Sequence, residues 1–373
     1  MNIAILTQPL MANYGGILQN YAIQQVLKQL GHRPITIEQK YAIKETPLFS
    51  IPKRAISKYF LRRKIKIFEE KAINKRELLL RSKLYPFIAK KINRVYFNDW
   101  NTINISEYDT IIVGSDQVWR PIYNCEILDK MFLSFIPDNN NIKRIAYAAS
   151  FGSDKWEFTE QQTIISRNLI KQFDAISIRE DSGIKLFKDY LGGNATQVLD
   201  PTLLLSKEQY CELCADVPKQ DNYLCAYMLD ICEAEYKELE LFANKKGLKL
   251  KIFSADEDCT LTVEEWLATF RDAKLIITNS FHGIIFSIIF NKDFYYLYHP
   301  TRGIARITSL FRSLNIPQDR IKINVTEIQH TETTLLDWFA INSLLLKQKQ
   351  DSIQFLINAL DINQQIKCLK FQS

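Results

Sequence analysis

Four short segments of this sequence carry residue types suited to chemistry, and each follows a short apolar run. In Thr278-Asn279-Ser280-Phe281-His282-Gly283, one of only four histidines in the chain sits between the run Leu275 to Thr278 and the apolar stretch Gly283 to Phe290. If that stretch is a helix, His282 stands on its first turn, where free amides and the helix dipole favour an anion. Asn279, Ser280 and Gly283 are the small and polar residues such a site needs beside it. Arg179, in Ile178-Arg179-Glu180-Asp181, closes the run Ala175 to Ile178. A guanidinium there can fork a carboxylate or a phosphate. The competing reading is an ion pair with Glu180 or Asp181.

The other two segments are less specific. Asn13-Tyr14-Gly15-Gly16 follows the apolar run Asn2 to Thr7. Its glycines let backbone amides approach an anion without a Cβ in the way; equally, it reads as a tight turn with Asn13 capping a helix. It matches neither G-x-G-x-x-G nor G-K-[ST], which makes NAD and ATP poor candidates. Gly114-Ser115-Asp116-Gln117-Val118-Trp119 offers a carboxylate to accept from a hydroxyl and a ring to face a sugar. Alternatively, Asp116 caps a helix and Trp119 belongs to the core. Ser150-Phe151-Gly152 repeats the arrangement after the next apolar run.

The elements that must position these residues alternate. Apolar runs at Asn2 to Thr7, Ile35 to Glu38, Thr110 to Val113, Arg144 to Ala149, Ala175 to Ile178 and Gln197 to Leu199 read as strands, with helical spacing such as Ile17, Tyr21, Val26, Leu30 between them. After Asp200-Pro201-Thr202 a second strand-helix series begins at Tyr223. The pattern predicts an α/β protein of two Rossmann-like domains, their mostly parallel sheets facing across a cleft. We expect the first over residues 1–205, with a basic helical insertion near 51–97. The second covers 206–345 and carries the His282 loop, and a C-terminal helical segment over 346–373 packs back on the first.

Composition narrows the function classes. A chain of 373 residues with 47% hydrophobic and 24% charged residues is an ordinary globular protein large enough for two cores. The net charge of +6 comes with no nucleic-acid reading module, so no nucleic-acid partner is expected. The basic excess gathers in Ile51 to Phe97, where Arg62-Arg63-Lys64 and Lys90-Lys91 punctuate apolar residues. That segment reads as a solvated amphipathic helix pair or as a face for anionic lipid or a lipid-linked acceptor. Seven cysteines, an odd number, read as reduced thiols, and no metal site is expected. The apolar strand at the N-terminus lacks a charged leader, which predicts a cytoplasmic chain, at the inner face of the membrane if the basic segment docks there.

With those residues in view, the chain resembles the polysaccharide pyruvyl transferase family. The likeness runs in order through Asn13-Tyr14-Gly15-Gly16-Ile17-Leu18-Gln19, Gly114-Ser115-Asp116-Gln117-Val118-Trp119, Ala148-Ala149-Ser150-Phe151-Gly152, Ser177-Ile178-Arg179-Glu180, Leu199-Asp200-Pro201-Thr202 and Asn279-Ser280-Phe281-His282-Gly283, and on to Arg302 to Leu314. The resemblance implies a GT-B-like fold, phosphoenolpyruvate as donor, no further cofactor, and a sugar or lipid-linked oligosaccharide as acceptor. The product it implies is a cyclic pyruvate ketal in a capsule or exopolysaccharide. It assigns catalysis to Arg179 and His282. Substrate binding falls to Asn13, Tyr14, Gly15, Gly16, Gln19, Ser115, Asp116, Trp119, Ser150, Asn279, Ser280, Gly283 and Arg306. Where many relatives have Leu after an Arg, this chain has Phe281 after Ser280 and so lacks that cation. Two other functions share these features: a GT-B glycosyltransferase using a nucleotide sugar, and a catalytically silent binding component of a polysaccharide-assembly complex.

Overall fold

The computed structural model describes residues 1–10, 13–40, 52, 54, 82–138, 140–254, 261–299, 303–330 and 334–360. The expected basic cluster at Arg62, Arg63 and Lys64 therefore lies outside the described residues, as does Arg302.

The first sheet is built from β1 (Asn2–Leu6), β2 (Arg33–Gln39), β3 (Arg94–Phe97), β4 (Thr110–Val113), β5 (Lys143–Ala149), β6 (Ala175–Ile178) and β7 (Thr196–Gln197). Its order is β3-β2-β1-β4-β5-β6-β7, and every pairing is parallel. The second sheet contains β8 (Tyr223–Met228), β9 (Lys249–Ser254), β10 (Leu275–Thr278), β11 (Asp293–Leu297) and β12 (Ile321–Lys322), also all parallel, in the order β12-β11-β10-β8-β9. Central parallel strands are covered on both faces, so they need apolar residues at every position rather than at alternate ones. Thr-Ile-Ile-Val in β4 and Leu-Ile-Ile-Thr in β10 are accordingly buried throughout.

The strand order reverses between β1 and β4 in one sheet and between β8 and β10 in the other. In sheets of this kind ligands sit beyond the carboxyl ends of the strands at such a reversal. The helices that matter for the site are α1 (Tyr14–Gln29), α2 (Asp181–Leu186), α3 (Val263–Asp272), α4 (Phe281–Ile289), α5 (Ala305–Ser313) and α6 (Trp338–Ala359). All nine residues of α4 are buried, as an apolar sequence on every side of the helix requires. Among the described residues, no helix is long and apolar enough to cross a membrane.

The two sheets share one continuous apolar core that runs from Ile3 and Ile17 through Trp266 to Phe286. Tyr14 stacks on Trp266 of α3 with ring centroids 5.2 Å apart and donates its hydroxyl to the Leu261 carbonyl at 2.6 Å. The terminal helix starts at Trp338, earlier than the expected 346, and its later turns lie against the first sheet. There the Leu199 amide donates to the Ser352 hydroxyl at 2.9 Å, and Phe355 meets Tyr147 at 6.3 Å.

Candidate functional site

Arg179 leaves the end of β6 directly into the interior. Its Nη1 donates to Oδ2 of Asp200 at 2.7 Å, its Nη2 lies 3.6 Å from Asp116, and its Nε lies 3.9 Å from Glu180. Nε and Nη2 are buried without a hydrogen-bond partner. Burial disfavours the cation, but Asp200, Asp116 and Glu180 more than offset that, so its pKa rises and Arg179 stays charged. The sequence offered Glu180 or Asp181 as its ion-pair partner. Glu180 is within ion-pair range, but the closest partner is Asp200, and Asp181 pairs instead with Arg312 at 2.8 Å.

Asp200 precedes Pro201, which starts a short 3-10 turn (Pro201–Leu204), and its side chain caps that turn. Oδ1 accepts from the Thr202 amide at 3.1 Å and the Thr202 hydroxyl at 2.6 Å; Oδ2 accepts from Arg179 and from Nε2 of Gln19. Burial alone would raise this carboxyl, but Arg179, His282 and Thr202 together hold it below its ordinary range.

His282 arrives from the other sheet, on the first turn of α4, which Ser280 caps by accepting from the Gly283 amide at 3.4 Å. Its Nε2 faces Oδ2 of Asp200 at 3.8 Å and has no hydrogen-bond partner. The other side of the ring lies on α1, where a Cβ added to Gly15 would come 2.0 Å from Nδ1. Burial pulls its pKa down; Asp200 and Asp116 oppose this, while Arg179 and Arg306 add to it. The ring therefore rests neutral, beside a carboxylate able to stabilise its charged form.

The remaining predicted residues divide into those near this cluster and those committed to structure. Asp116, at φ 68°, turns its carboxylate towards Arg179 while its carbonyl accepts from the Ser150 amide at 3.0 Å. Arg306 of α5 is half-buried, its guanidinium 5.3 Å from the Phe281 ring; Arg179 lies 4.7 Å from the same ring. Phe281 thus meets two guanidiniums, a favourable arrangement for an aromatic face. A cavity of about 270 Å³ opens beside them, lined in part by Arg179, Asp200, Phe281, Arg306, Ser309 and Gln348.

Several expected contacts to substrate are taken up by the protein itself. Trp119 is 0% exposed, stacked on Phe132 at 4.8 Å and on Phe187 at 5.9 Å, with its indole N–H on the Met131 carbonyl, so its ring is core and faces no sugar. Tyr14 is equally sealed against Trp266. Gln19 is buried with its amide nitrogen on Asp200. Ser150 is buried, donating to Glu180 at 2.8 Å. Ser115 is buried too, and its carbonyl accepts from Thr7, but its hydroxyl has no hydrogen-bond partner. Asn279 ties the ends of β8 and β10 together, accepting from the Leu229 amide at 2.7 Å and donating to Asp230 at 3.2 Å. Gly283 is required by packing, since a Cβ there would lie 2.3 Å from the Thr278 hydroxyl. Nor do Gly15 and Gly16 form a loop: α1 begins at Tyr14, capped by Asn13, and both glycines lie in its first turn. Gly15 makes room for His282, whereas Gly16 has only Asn13 near it.

Sequence reasoning passed over Asp200 and Glu180 as site residues. The signal for Asp200 was present: like Arg179, it is a charged residue at the carboxyl end of a short apolar run. Among the described residues, no group of histidine, cysteine and carboxylate side chains is arranged to hold a metal ion.

The sequence matches the family model described as polysaccharide pyruvyl transferase over residues 13–300. The chain belongs to the polysaccharide pyruvyl transferase family. Membership makes it a transferase and implies a pyruvyl donor and a polysaccharide acceptor. No curated protein matches the sequence significantly. Among solved structures, it is similar to the UDP-GlcNAc 2-epimerase of Methanocaldococcus jannaschii, with 12% identity, a TM-score of 0.45, and coverage of 97% of this chain and 100% of that one. The UDP-GlcNAc 2-epimerase of Neisseria meningitidis gives 9%, 0.44, 97% and 100%. The E. coli heptosyltransferase WaaC with ADP gives 11%, 0.38, 93% and 100%. Two wholly parallel sheets, of seven and five strands, define the fold of this pyruvyl transferase family member.

Proposed function

We propose that this family member transfers the pyruvate unit of phosphoenolpyruvate onto two hydroxyls of one sugar, forming a cyclic ketal during assembly of a capsule or exopolysaccharide. The observation that supports this reading most is the meeting of Arg179 and His282, from different sheets, at one carboxylate oxygen of Asp200. The chemistry needs a proton donor and an anion holder at one place. His282 in its charged form gives a proton to the methylene carbon of phosphoenolpyruvate, and one sugar hydroxyl adds to C2, releasing its own proton. The bond from C2 to the phosphate oxygen then breaks, and the second hydroxyl closes the ring with loss of its proton. Arg179, with Nε and Nη2 unpaired, holds the donor's carboxylate or phosphate through these changes. Arg306, whose guanidinium also lies against the Phe281 ring and lines the same cavity, supplies a second cation near the same anion. The acceptor is a sugar or lipid-linked oligosaccharide met in the cytoplasm at the inner membrane face.

The test is incubation with labelled phosphoenolpyruvate and sugars carrying neighbouring hydroxyls, following label in the sugar and released phosphate together. Label transfer from a nucleotide sugar, with none from phosphoenolpyruvate, would replace this reading by glycosyl transfer.

A further inference from the structure

We propose that Asp200 is the positioning residue of this site: it fixes the tautomer of His282 and couples the charging of His282 to the occupation of Arg179. The proposal rests on the roles given to Arg179 and His282 above and goes on to say how the two communicate.

The geometry singles out one oxygen. Oδ1 of Asp200 is committed to the Thr202 amide and hydroxyl. Oδ2 is contested by three side chains from three elements: Nη1 of Arg179 at 2.7 Å, Nε2 of Gln19, and Nε2 of His282 at 3.8 Å. The first two hold it, and the third, buried and without a hydrogen-bond partner, stands just outside bonding distance. An anion arriving on the unpaired Nε and Nη2 of Arg179 shares the guanidinium's charge with Asp200 and weakens the Nη1 contact to Oδ2. As that hold loosens, Oδ2 carries negative charge that needs a donor, and the nearest unfilled position belongs to His282. One proton is taken up from solvent onto the imidazole, and the Nε2–H then donates to Oδ2. With Nε2 so engaged, Nδ1, on the side of the ring beside Gly15 at the start of α1, is the nitrogen left to deliver a proton. After delivery, the neutral ring retains the Nε2–H tautomer that Asp200 favours.

The charged groups around the imidazole come from every side. Asp200 and Asp116 favour its protonation, and Arg179 and Arg306 oppose it, on top of the cost of burial. The test follows the His282 imidazole by NMR against pH in the full-length protein. Its resonance is assigned among the four histidines by its disappearance in His282→Gln. Asp200→Asn keeps the size and removes the charge, so His282 should titrate at lower pH than in the parent. The basic limb of the kcat profile should move the same way, with a loss of about tenfold or more near pH 8 that shrinks near pH 6. Gln19→Leu removes a competing donor from Oδ2 and leaves Asp200 charged. It also removes the Gln19 carbonyl oxygen, which is buried and unpaired already, so the fold should tolerate it. In that variant His282 should titrate at higher pH. An unchanged titration in folded Asp200→Asn, or an unchanged or lowered one in Gln19→Leu, overturns the proposal. Because the titration needs no substrate, its failure is distinguishable from an absence of turnover with phosphoenolpyruvate.

Discussion

Gly15 and His282 interlock across the two sheets: a single added Cβ on Gly15 would fall 2.0 Å from Nδ1 of the imidazole. A residue in the first turn of α1 therefore sets the position of a ring carried by α4. Gly15→Ala should leave the helix intact, since alanine is the better helix former by about 1 kcal/mol. It should displace the ring, and turnover should fall by about a hundredfold, the scale of a misplacement near 1 Å. Circular dichroism and single-turnover rates in the same preparation check this; normal rates in the variant would show that the ring is free to shift.

His282→Gln should lower turnover by about a hundred- to ten-thousandfold with donor affinity changed far less, as for loss of a general acid. The same variant tests the resting charge. The folded-state pKa of His282 lies below its ordinary value of 6.5, so below that pH the unfolded chain binds more protons and acid destabilises the native state. Stability from this group is complete above about 6.5 and is lost as pH falls through the folded pKa. The drop in Tm on acidification should therefore be smaller in His282→Gln than in the parent. Equal drops would mean that His282 is not held neutral.

Arg179→Ala should be costly to the fold as well as to donor binding, because it strands Asp200 as a buried charge without its ion pair. Breaking such a pair from one side costs about 3–5 kcal/mol. Arg179→Lys should restore little, since an ammonium cannot place donors on Asp200 and on an arriving anion with the geometry of the planar fork. Denaturant unfolding and phosphoenolpyruvate binding measured on both variants separate the two losses.

Phosphoenolpyruvate should raise the Tm of the parent with a chelator present, because its proposed contacts are guanidinium and imidazole groups. The stabilisation should approach about 2.7 kcal/mol at a hundredfold excess over Kd. Abolition of the shift by the chelator would point to a cation in donor binding.

The architecture was legible because parallel central strands are apolar without interruption: Thr110 to Val113 and Leu275 to Thr278 stand out against the polar segments around them. The polar residues just beyond such strands were legible for the same reason: Arg179 directly follows β6, and His282 stands on the helix turn after β10. What residue types could not convey is side-chain direction. Trp119 lies a few residues beyond Asp116, yet one turns to Arg179 and the other into a stack of phenylalanines. Asp200 was hidden by Pro201, which made the pair read as punctuation between domains when the carboxylate is the hub of the site. The paired glycines suggested a loop for an anion, whereas Asn13 caps a helix directly before them and Gly15 answers a steric demand made 267 positions later.

The pin between the Leu199 amide and Ser352 bears on how the protein is made. Leu199 adjoins Asp200, and its partner lies on α6, the last helix described. During synthesis the first sheet leaves the ribosome long before that helix exists, so the strand end beside Asp200 emerges with its amide unbonded and Tyr147 without Phe355. The nascent chain can form its first sheet early, but the Leu199 backbone beside Asp200 gains its bond to Ser352 only once α6 has been made.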